Sequence, residues 1–244
     1  MNKVYIGLLG GCMLLSNGCD VQSQAQQGAI QEHPPANANP STTEMAMGIK
    51  EVLEQGTEDG ADKLAAKDGF LGNKDVRIDF PEEAQNVEDT LRNMGLGSFA
   101  DNVVTSLNRA AEDAAKQAKP IFTSAIQQMT LVDVVNILTG NPMAATTFFK
   151  RATTGKLMEK LKPYVTSSLN KVGATKYWNE AVSKYNSLSL VKSINPDLSN
   201  YVAQKAIEGM FIQIAQEELQ IRNNKSARST SLLKKVFGFA DRNK

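Results

Sequence analysis

Apolar residues recur every three or four positions along most of the chain, which is the period of an amphipathic α-helix. The first stripe begins after Thr43, continues past Gly60, and consists of Met45, Ile49, Val52, Leu53, Ala61, Leu64 and Ala65. The clearest later stripe consists of Phe99, Val103, Val104, Leu107, Ala110, Ala111 and Ala114. The sequence therefore predicts an all-α fold, a single bundle of about eight to ten helices.

Near the C-terminal end, one predicted helix carries apolar residues around much of its circumference. They are Tyr201, Val202, Ala206, Ile207, Met210, Phe211, Ile212, Ile214 and Ile221. A helix that is apolar around most of its surface is buried. We predict that the longest helix runs from about Pro196 to Arg222 and lies at the centre of the bundle.

Residues typical of helix ends divide the pattern. Predicted starts lie at Pro81, at Asn141-Pro142, at Asn195-Pro196 and at a capping box formed by Thr130 and Asp133. Predicted stops are Gly95, Gly140, Gly155 and Gly173. Only Val76 to Phe80 alternates like a strand, and because a single strand cannot form a sheet, we predict an extended connector there.

Residues 1–18 have the pattern of a signal peptide, with Lys3 before an apolar run that is shorter than the roughly 20 residues of a transmembrane helix. Gly18-Cys19 resembles the core of a bacterial lipobox, although Ser16 stands where that motif usually has an aliphatic residue. We predict lipid attachment at Cys19 rather than Cys12, because cleavage before Cys12 leaves almost no apolar core in the signal. The alternative is a signal that is cut elsewhere, with both cysteines as apolar filler.

Residues 19–42 differ from the rest in composition. After Cys19 they hold five Gln, four Ala and three Pro, with Val21 and Ile30 as the only aliphatic residues beyond alanine. Such a segment buries too little apolar surface to offset its ordering entropy, so we predict a disordered tether, in which His33 is solvated. The predicted all-helical domain spans residues 43–244.

Composition narrows the chemistry open to this domain. The 244 residues include 27 basic and 26 acidic side chains, a net charge of +1, whereas nucleic-acid-binding domains are normally strongly basic. The two cysteines and the only histidine precede residue 43, which excludes Ser-His-Asp and Cys-His catalysis and zinc or copper sites of the His/Cys type in the domain. The sequence contains no phosphate-binding glycine motif in the strand-to-helix context that nucleotide binding requires, so it gives no support to nucleotide chemistry. We expect no cofactor, no metal and no nucleic-acid partner.

Six short motifs occur in the same order as in one bacterial family. They are Lys67-Asp68-Gly69-Phe70, Asn108-Arg109-Ala110-Ala111-Glu112, Ala118-Lys119-Pro120-Ile121-Phe122, Val172-Gly173-Ala174-Thr175, Asn195-Pro196-Asp197-Leu198 and Leu232-Leu233-Lys234-Lys235-Val236-Phe237-Gly238. From about residue 45 to residue 238 the chain resembles the envelope lipoprotein family catalogued as domain of unknown function 4197. The resemblance implies an all-helical exported domain, and it brings no known activity, ligand or catalytic residue.

Asn108, Arg109 and Glu112 form the first candidate polar site. On a helix, residues 108 and 112 share one face and 109 lies beside it, among the apolar Leu107 and Ala111. A partly buried Arg–Glu pair either fixes helix register or lines a pocket for a polar head group. A second candidate surface consists of Thr146, Thr147, Phe148, Phe149 and Arg151. The alternative is that its two phenylalanines pack in the core. Trp178 is predicted to be a core residue.

Two functions follow from these features. The favoured one is a non-enzymatic envelope lipoprotein, a helical binding or scaffold module that faces the periplasm on a membrane anchor at Cys19 and takes an envelope protein or a lipid as its ligand. The basic C-terminal end is either a solvated helix face or a contact for anionic lipid. The alternative function is a carboxylate-dependent hydrolase of cell-wall glycan, for which two acids are needed from the set Glu112, Asp133, Glu208 and Glu217.

Overall fold

The computed structural model describes residues 39–187 and 197–243, and these ranges form nine α-helices without a strand. The predicted all-α fold is confirmed. Outside the described residues lie the predicted signal peptide, Cys12, Cys19, residues 19–38 of the predicted tether with His33, and the Asn195-Pro196 helix start. Residues 39–42 of the tether are described, and the first helix begins at Thr42, one residue before the predicted start of the domain. The helices are α1 (Thr42–Ala65), α2 (Gln85–Asn93), α3 (Gly97–Ala115), α4 (Ala118–Gln128), α5 (Val134–Thr139), α6 (Ala144–Lys171), α7 (Ala174–Asn186), α8 (Leu198–Asn223) and α9 (Ser231–Arg242).

Helices α1 and α8 form the centre of the domain, and α8 also packs along α6. Two glycines on α1, spaced one turn apart, allow the close approach. A Cβ atom at Gly56 would lie 2.9 Å from the Cα of Ile214, and one at Gly60 would lie 2.7 Å from the Cβ of Gln213. Because real Cβ contacts are not that short, the absence of side chains at these two positions sets the distance between the helices.

Three phenylalanine rings form the aromatic part of the core. Phe122 of α4, Phe149 of α6 and Phe211 of α8 are buried, and their ring centroids lie 5.4–6.1 Å apart in tilted or edge-on arrangements. Such pairs stabilise a core beyond the apolar area that they bury. Together with the buried face of α1, they join three helices around α8.

Between α1 and α2, residues 66–81, which we call the connector, form turns and then the predicted extended stretch from Val76 to Phe80, which lies against α3. Val76, Ile78 and Phe80 are buried and the residues between them are exposed, which is the alternation that the sequence shows. Trp178 is 4% exposed with its ring 5.7 Å from that of Phe80, so the prediction that it is a core residue is confirmed.

Helix α6 corrects two predictions. With 28 residues it is longer than α8, which has 26, so the prediction that α8 is the longest helix is wrong. The predicted stop at Gly155 is also wrong, because α6 continues through both Gly155 and Pro163. Leu157, Leu161 and Val165 are buried on the far side of Gly155, and their packing outweighs the weak helix propensity of the glycine.

The other end signals are partly correct. Gly95 and Gly173 adopt φ values of 75° and 74° in the left-handed region directly after α2 and α6, and Gly140 caps α5, as predicted. The capping box at Thr130 is wrong, since α5 begins after Asp133, whose carboxylate instead accepts a hydrogen bond from the Asn136 side chain at 2.7 Å. None of the helices in residues 39–187 and 197–243 is long and apolar enough to cross a membrane.

Candidate functional site

Asn108, the first residue of the predicted polar cluster, binds the extended connector to α3. It is fully buried. Its Oδ1 atom accepts a hydrogen bond from the Ile78 backbone N–H at 2.9 Å. Its Nδ2 group donates to the carbonyls of Ile78 and Val104, both at 2.7 Å. The amide therefore pairs with Ile78 much as a neighbouring strand does, and both of its donors are engaged within the protein.

Glu112 and Arg109 hold the preceding part of the same connector. Glu112 Oε1 accepts hydrogen bonds from the backbone N–H groups of Phe70 and Leu71, each at 3.2 Å, and its Oε2 binds Arg109 at 2.6 Å. Arg109 also donates to the Asp68 carboxylate at 2.7 Å, and these two carboxylates, Glu112 foremost, raise the pKa of the guanidinium. The structure thus brings the predicted cluster together, with its hydrogen-bonding groups directed at the protein's own backbone.

The second predicted surface, at the start of α6, is divided between the core and a small groove. Phe149 is fully buried, whereas Phe148 is half-buried with the Arg151 guanidinium 5.7 Å from its ring. Of the five predicted residues, only Thr146 and Thr147 line the groove, whose volume is about 270 Å³. The phenylalanines and Arg151 lie outside it.

A buried ion pair on α8 was not predicted from the sequence. Glu218 and Arg222 lie 2.8 Å apart, with side chains that are 0% and 2% exposed. Glu218 accepts hydrogen bonds from the backbone N–H groups of Ala145 and Thr146 at the start of α6, and Arg222 donates to the last carbonyls of α5. Helix ends lack internal partners for these groups, so the pair fixes α5 and α6 on α8. Its i, i+4 spacing is visible in the sequence, but exposed pairs have the same spacing.

The acids considered for glycan hydrolysis are dispersed: Glu112 on α3, Asp133 before α5, and Glu208 and Glu217 on α8. Burial foremost, and then nearby Asp59, raises the pKa of Glu217. Among the described residues, four grooves lie at the start of α6, beside α7, beside α9, and at Asp113 and Ser168 between α3 and α6. Each of these grooves is lined by a single acid, and of the four candidate acids only Glu208 lines one of them. This geometry gives no support to a two-carboxylate mechanism. In the described part of the chain, no group of three or more His, Cys, Asp or Glu side chains is placed to hold a metal ion.

The largest of the four grooves, which we call the α7 groove, has a volume of about 890 Å³. Phe99, near the start of α3, contributes an aromatic wall. The other walls carry the amides of Asn170 and Asn179 and the hydroxyls of Thr175 and Ser183. Phe99 is only half-buried, although its place in the apolar stripe of α3 predicts a core residue.

Helix α7 is amphipathic, and this places its polar groups in the groove. Gly173, with φ of 74°, lies between the end of α6 and the start of α7 and permits the sharp change of direction. The buried face of α7 consists of Ala174, Trp178, Ala181 and Tyr185. Its groove-lining residues fall between these positions and are Thr175, Lys176, Asn179, Glu180, Ser183 and Lys184.

Most polar groups of the α7 groove have no role in holding the fold. Within the described residues, the side chains of Asn179 and Ser183 form no hydrogen bond, and Lys176 and Glu180 pair only at 3.9 Å. Thr175 donates to Asn170 Oδ1 at 3.0 Å, which leaves the Asn170 amide donors unused. The sequence did not predict this site, because an ordinary solvated helix face also carries polar residues at helical spacing.

The basic residues near the C-terminus separate into two groups. Arg222 and Arg228 are buried, and Lys235 binds Glu44 at 2.6 Å. The second group lines a groove of about 390 Å³ and is exposed; it consists of Lys225, Lys234 and Arg242. The predicted alternatives, a solvated helix face or a lipid contact, therefore apply to only three of the described basic residues near the C-terminus.

Comparison with known families gives one match. The model of a family described as a protein of unknown function (DUF4197) matches residues 39–238. This range contains the polar cluster on α3, the buried ion pair and the α7 groove. No curated protein and no solved structure matches the chain.

Proposed function

Since the chain belongs to the DUF4197 family of proteins of unknown function, we propose a function from its own geometry: a non-enzymatic binding module of the bacterial envelope, tethered to a membrane, that binds a neutral glycan in the α7 groove. The observation that carries the proposal is that the Asn179 amide and the Ser183 hydroxyl, which form no hydrogen bond within the described residues, line the same groove as the half-buried ring of Phe99.

The contrast between two polar groups of this domain supports a ligand-binding role for the groove. The amide of Asn108 is engaged by backbone on every side, whereas the amide of Asn179 lies in an open groove without a partner in the described residues. Ligand sites combine an apolar wall with a few convergent polar groups, and volumes of roughly 300–1,000 Å³ are typical. The α7 groove has both properties.

The chemistry of the lining favours a sugar. Amides and hydroxyls both donate and accept hydrogen bonds, as the hydroxyl and acetamido groups of a sugar require. The face of Phe99 offers an apolar surface to the C–H face of a sugar ring. The charged residues on the lining are Lys176, Lys184 and Glu180, which nearly balance and so favour a neutral ligand. Cell-wall glycan, whose sugars carry such hydroxyl and acetamido groups, is the ligand class that we propose.

A titration with the trimer of N-acetylglucosamine tests the glycan site. We expect the full-length chain to bind it. We expect Asn179→Ala with Ser183→Ala to weaken binding by about 30-fold, the effect of two lost hydrogen bonds of about 1 kcal/mol each net of solvation. The matched control is Gln216→Ala, which removes an exposed amide from α8 outside the groove and leaves affinity unchanged. Absence of binding, or equal affinities for the three proteins, would refute the proposal.

The tether is a separate part of the proposal and rests on residues 1–42. We propose that Cys19 carries the lipid after the signal is removed. Two or more acyl chains give stable anchoring, whereas one gives only marginal binding, so the lipid on Cys19 would hold the protein at the membrane. Cys19→Ser then releases the protein from membranes or leaves it unprocessed, and Cys12→Ser does neither. Palmitate labelling followed by membrane fractionation measures both. Labelling that survives Cys19→Ser and disappears in Cys12→Ser would assign the anchor to the other cysteine.

A further inference from the structure

We propose that the groove at the C-terminal end, which we call the α9 groove, is a binding site for the phosphate of an anionic lipid head group. It is distinct from the α7 groove and has a different lining chemistry. The assignment of the phosphate to a lipid rests on the proposed membrane tether, whereas the site itself rests on the charges and space described next.

The floor of the α9 groove is a rigid arginine. Arg228 is 3% exposed, and its guanidinium donates to the carbonyls of Ile221 and Arg222 at 2.9 and 3.0 Å and to the Asp241 carboxylate at 2.8 Å. Its guanidinium carbon also lies 5.9 Å from the centre of the Phe237 ring. These contacts fix α9 against the end of α8, so the groove walls are held in place without a ligand.

Three further cations surround this floor. Lys225 comes from the short 3-10 helix Lys225–Ala227, and Lys234 and Arg242 come from α9. All three are exposed, and in the described residues none has an ion-pair partner. The groove is therefore lined by four basic side chains and one acid in a chain whose net charge is only +1. A concentration of unpaired positive charge of this kind attracts a phosphate.

Gly238 provides the space for the ligand. It lies one turn from both Lys234 and Arg242, so the two cations flank a position without a side chain, and the groove there has a volume of about 390 Å³. The nearest atom to a Cβ placed at Gly238 is Arg242 Nη1, at 3.8 Å. A Cβ atom at this position therefore meets no clash, and a longer side chain built on it would compete with a ligand for the groove without changing the charge of the site.

The position of α9 favours a lipid as the source of the phosphate. The helix packs on the beginning of α1, where Lys235 binds Glu44 and Val236 contacts Gly48. The α9 helix is therefore next to the point at which the segment from Cys19 joins the folded domain. A domain tethered there is held within reach of head groups, and basic residues near an anionic membrane surface each strengthen binding by about fivefold.

The test is calorimetric titration of the full-length chain with dihexanoyl phosphatidylglycerol, a short-chain lipid that dissolves as monomers. Because this lipid is soluble, the result does not depend on the anchor or on the glycan site. We expect phosphatidylglycerol to bind more tightly than dihexanoyl phosphatidylcholine and than inorganic phosphate. Lys234→Gln with Arg242→Gln should weaken binding by about 30-fold or more, because each substitution removes a charge-assisted hydrogen bond to the phosphate. Gly238→Leu should abolish it while far-UV circular dichroism and thermal unfolding show an intact fold.

The matched control is Lys156→Gln with Lys160→Gln, which removes the same charge from exposed positions of α6. Its affinity should stay within about twofold of the unmodified chain. An equal loss in the control, or an unchanged affinity in Gly238→Leu, would show diffuse attraction instead of a site. Inorganic phosphate binding as tightly as phosphatidylglycerol would overturn the lipid assignment, and no binding of phosphatidylglycerol would overturn the site.

Discussion

Thr57 on α1 is a buried hydroxyl without a hydrogen-bond partner in the described part of the chain. An unpaired buried polar group destabilises a fold by about 1–3 kcal/mol. We predict that Thr57→Val, which keeps the shape and removes the hydroxyl, raises the free energy of unfolding by about 1 kcal/mol in urea titrations.

Thr153 on α6 is the matched control for this substitution. It is also buried, but its hydroxyl donates to the Phe149 carbonyl at 2.7 Å. Thr153→Val loses that hydrogen bond and should leave stability unchanged or lower it. Stabilisation of the same size in both variants would show that the unpaired state of Thr57 is not the cause.

Asp113 on α3 makes stability depend on acid pH. The hydrogen bond from Lys171 foremost, with those from Lys116 and Ser168, lowers the pKa of its carboxyl to about 2. Because the folded-state pKa is lower than the unfolded one, this contribution is present above about pH 4 and is lost as pH falls towards 2. We predict a loss of about 1 kcal/mol over that window, after allowance for solvent screening.

Urea unfolding at pH 6, 4 and 2.5 measures this loss, and Asp113→Asn is the comparison because its amide does not titrate. The variant should be less stable than the unmodified chain at pH 6 and should lose less stability on acidification. Parallel pH profiles for the two proteins would contradict the assignment to Asp113.

Spacing alone was sufficient to group Asn108, Arg109 and Glu112, because residues three and four apart on a helix are neighbours. Their partners were not predictable in the same way. The backbone groups of Phe70 and Ile78 that they bind belong to the irregular connector, 42 and 30 residues away. Backbone hydrogen-bonding groups are the same in every residue, so the sequence holds no pattern that identifies them.

At the scale of elements, Gly56 and Gly155 have opposite surroundings, so their alanine variants form a matched pair. A Cβ at Gly56 meets the α8 backbone at 2.9 Å, whereas one at Gly155 on α6 has no atom within 4 Å. Gly56→Ala should destabilise the domain by about 1–3 kcal/mol because α1 and α8 must separate. Gly155→Ala should stabilise it by about 0.5–1 kcal/mol through helix propensity.

Thermal unfolding of the two alanine variants compares these effects directly. The expected melting temperatures lie on opposite sides of that of the unmodified chain. A higher melting temperature for Gly56→Ala would mean that the α1–α8 contact adjusts without loss, and would contradict the role assigned to Gly56.

The existence of most helices was predictable from apolar period, but their bounds were less so. Gly155 and Pro163 are weak helix formers, yet α6 passes through both because buried residues on either side of them, such as Phe149, Leu161 and Leu169, pack in the core. The start of α6 depends on Glu218, a residue of α8, which binds the first backbone amides in place of a local cap. Such boundaries are set by tertiary contacts, which local sequence does not encode.

At the scale of the whole molecule, the buried apolar residues of the described helices form one continuous core. Elements that share a core lose their packing together, so we predict a single cooperative unfolding transition. Far-UV circular dichroism, which follows the helices, and fluorescence of Trp178, which follows the core around α7, should give the same midpoint. Separate midpoints would show that the α7 region unfolds independently of the α1–α8 centre.

The contact between the first helix and the last has a consequence for the order in which the chain folds. Helix α1 packs on α8 and α9, so its apolar face is covered only after almost the entire sequence is present. Contacts between distant parts of a chain form late, because closing the long intervening loop is entropically unfavourable. Under the export that we propose, the α1 face that packs on α8 and α9 would stay uncovered until α9 has crossed the membrane, and the last helix would complete the core.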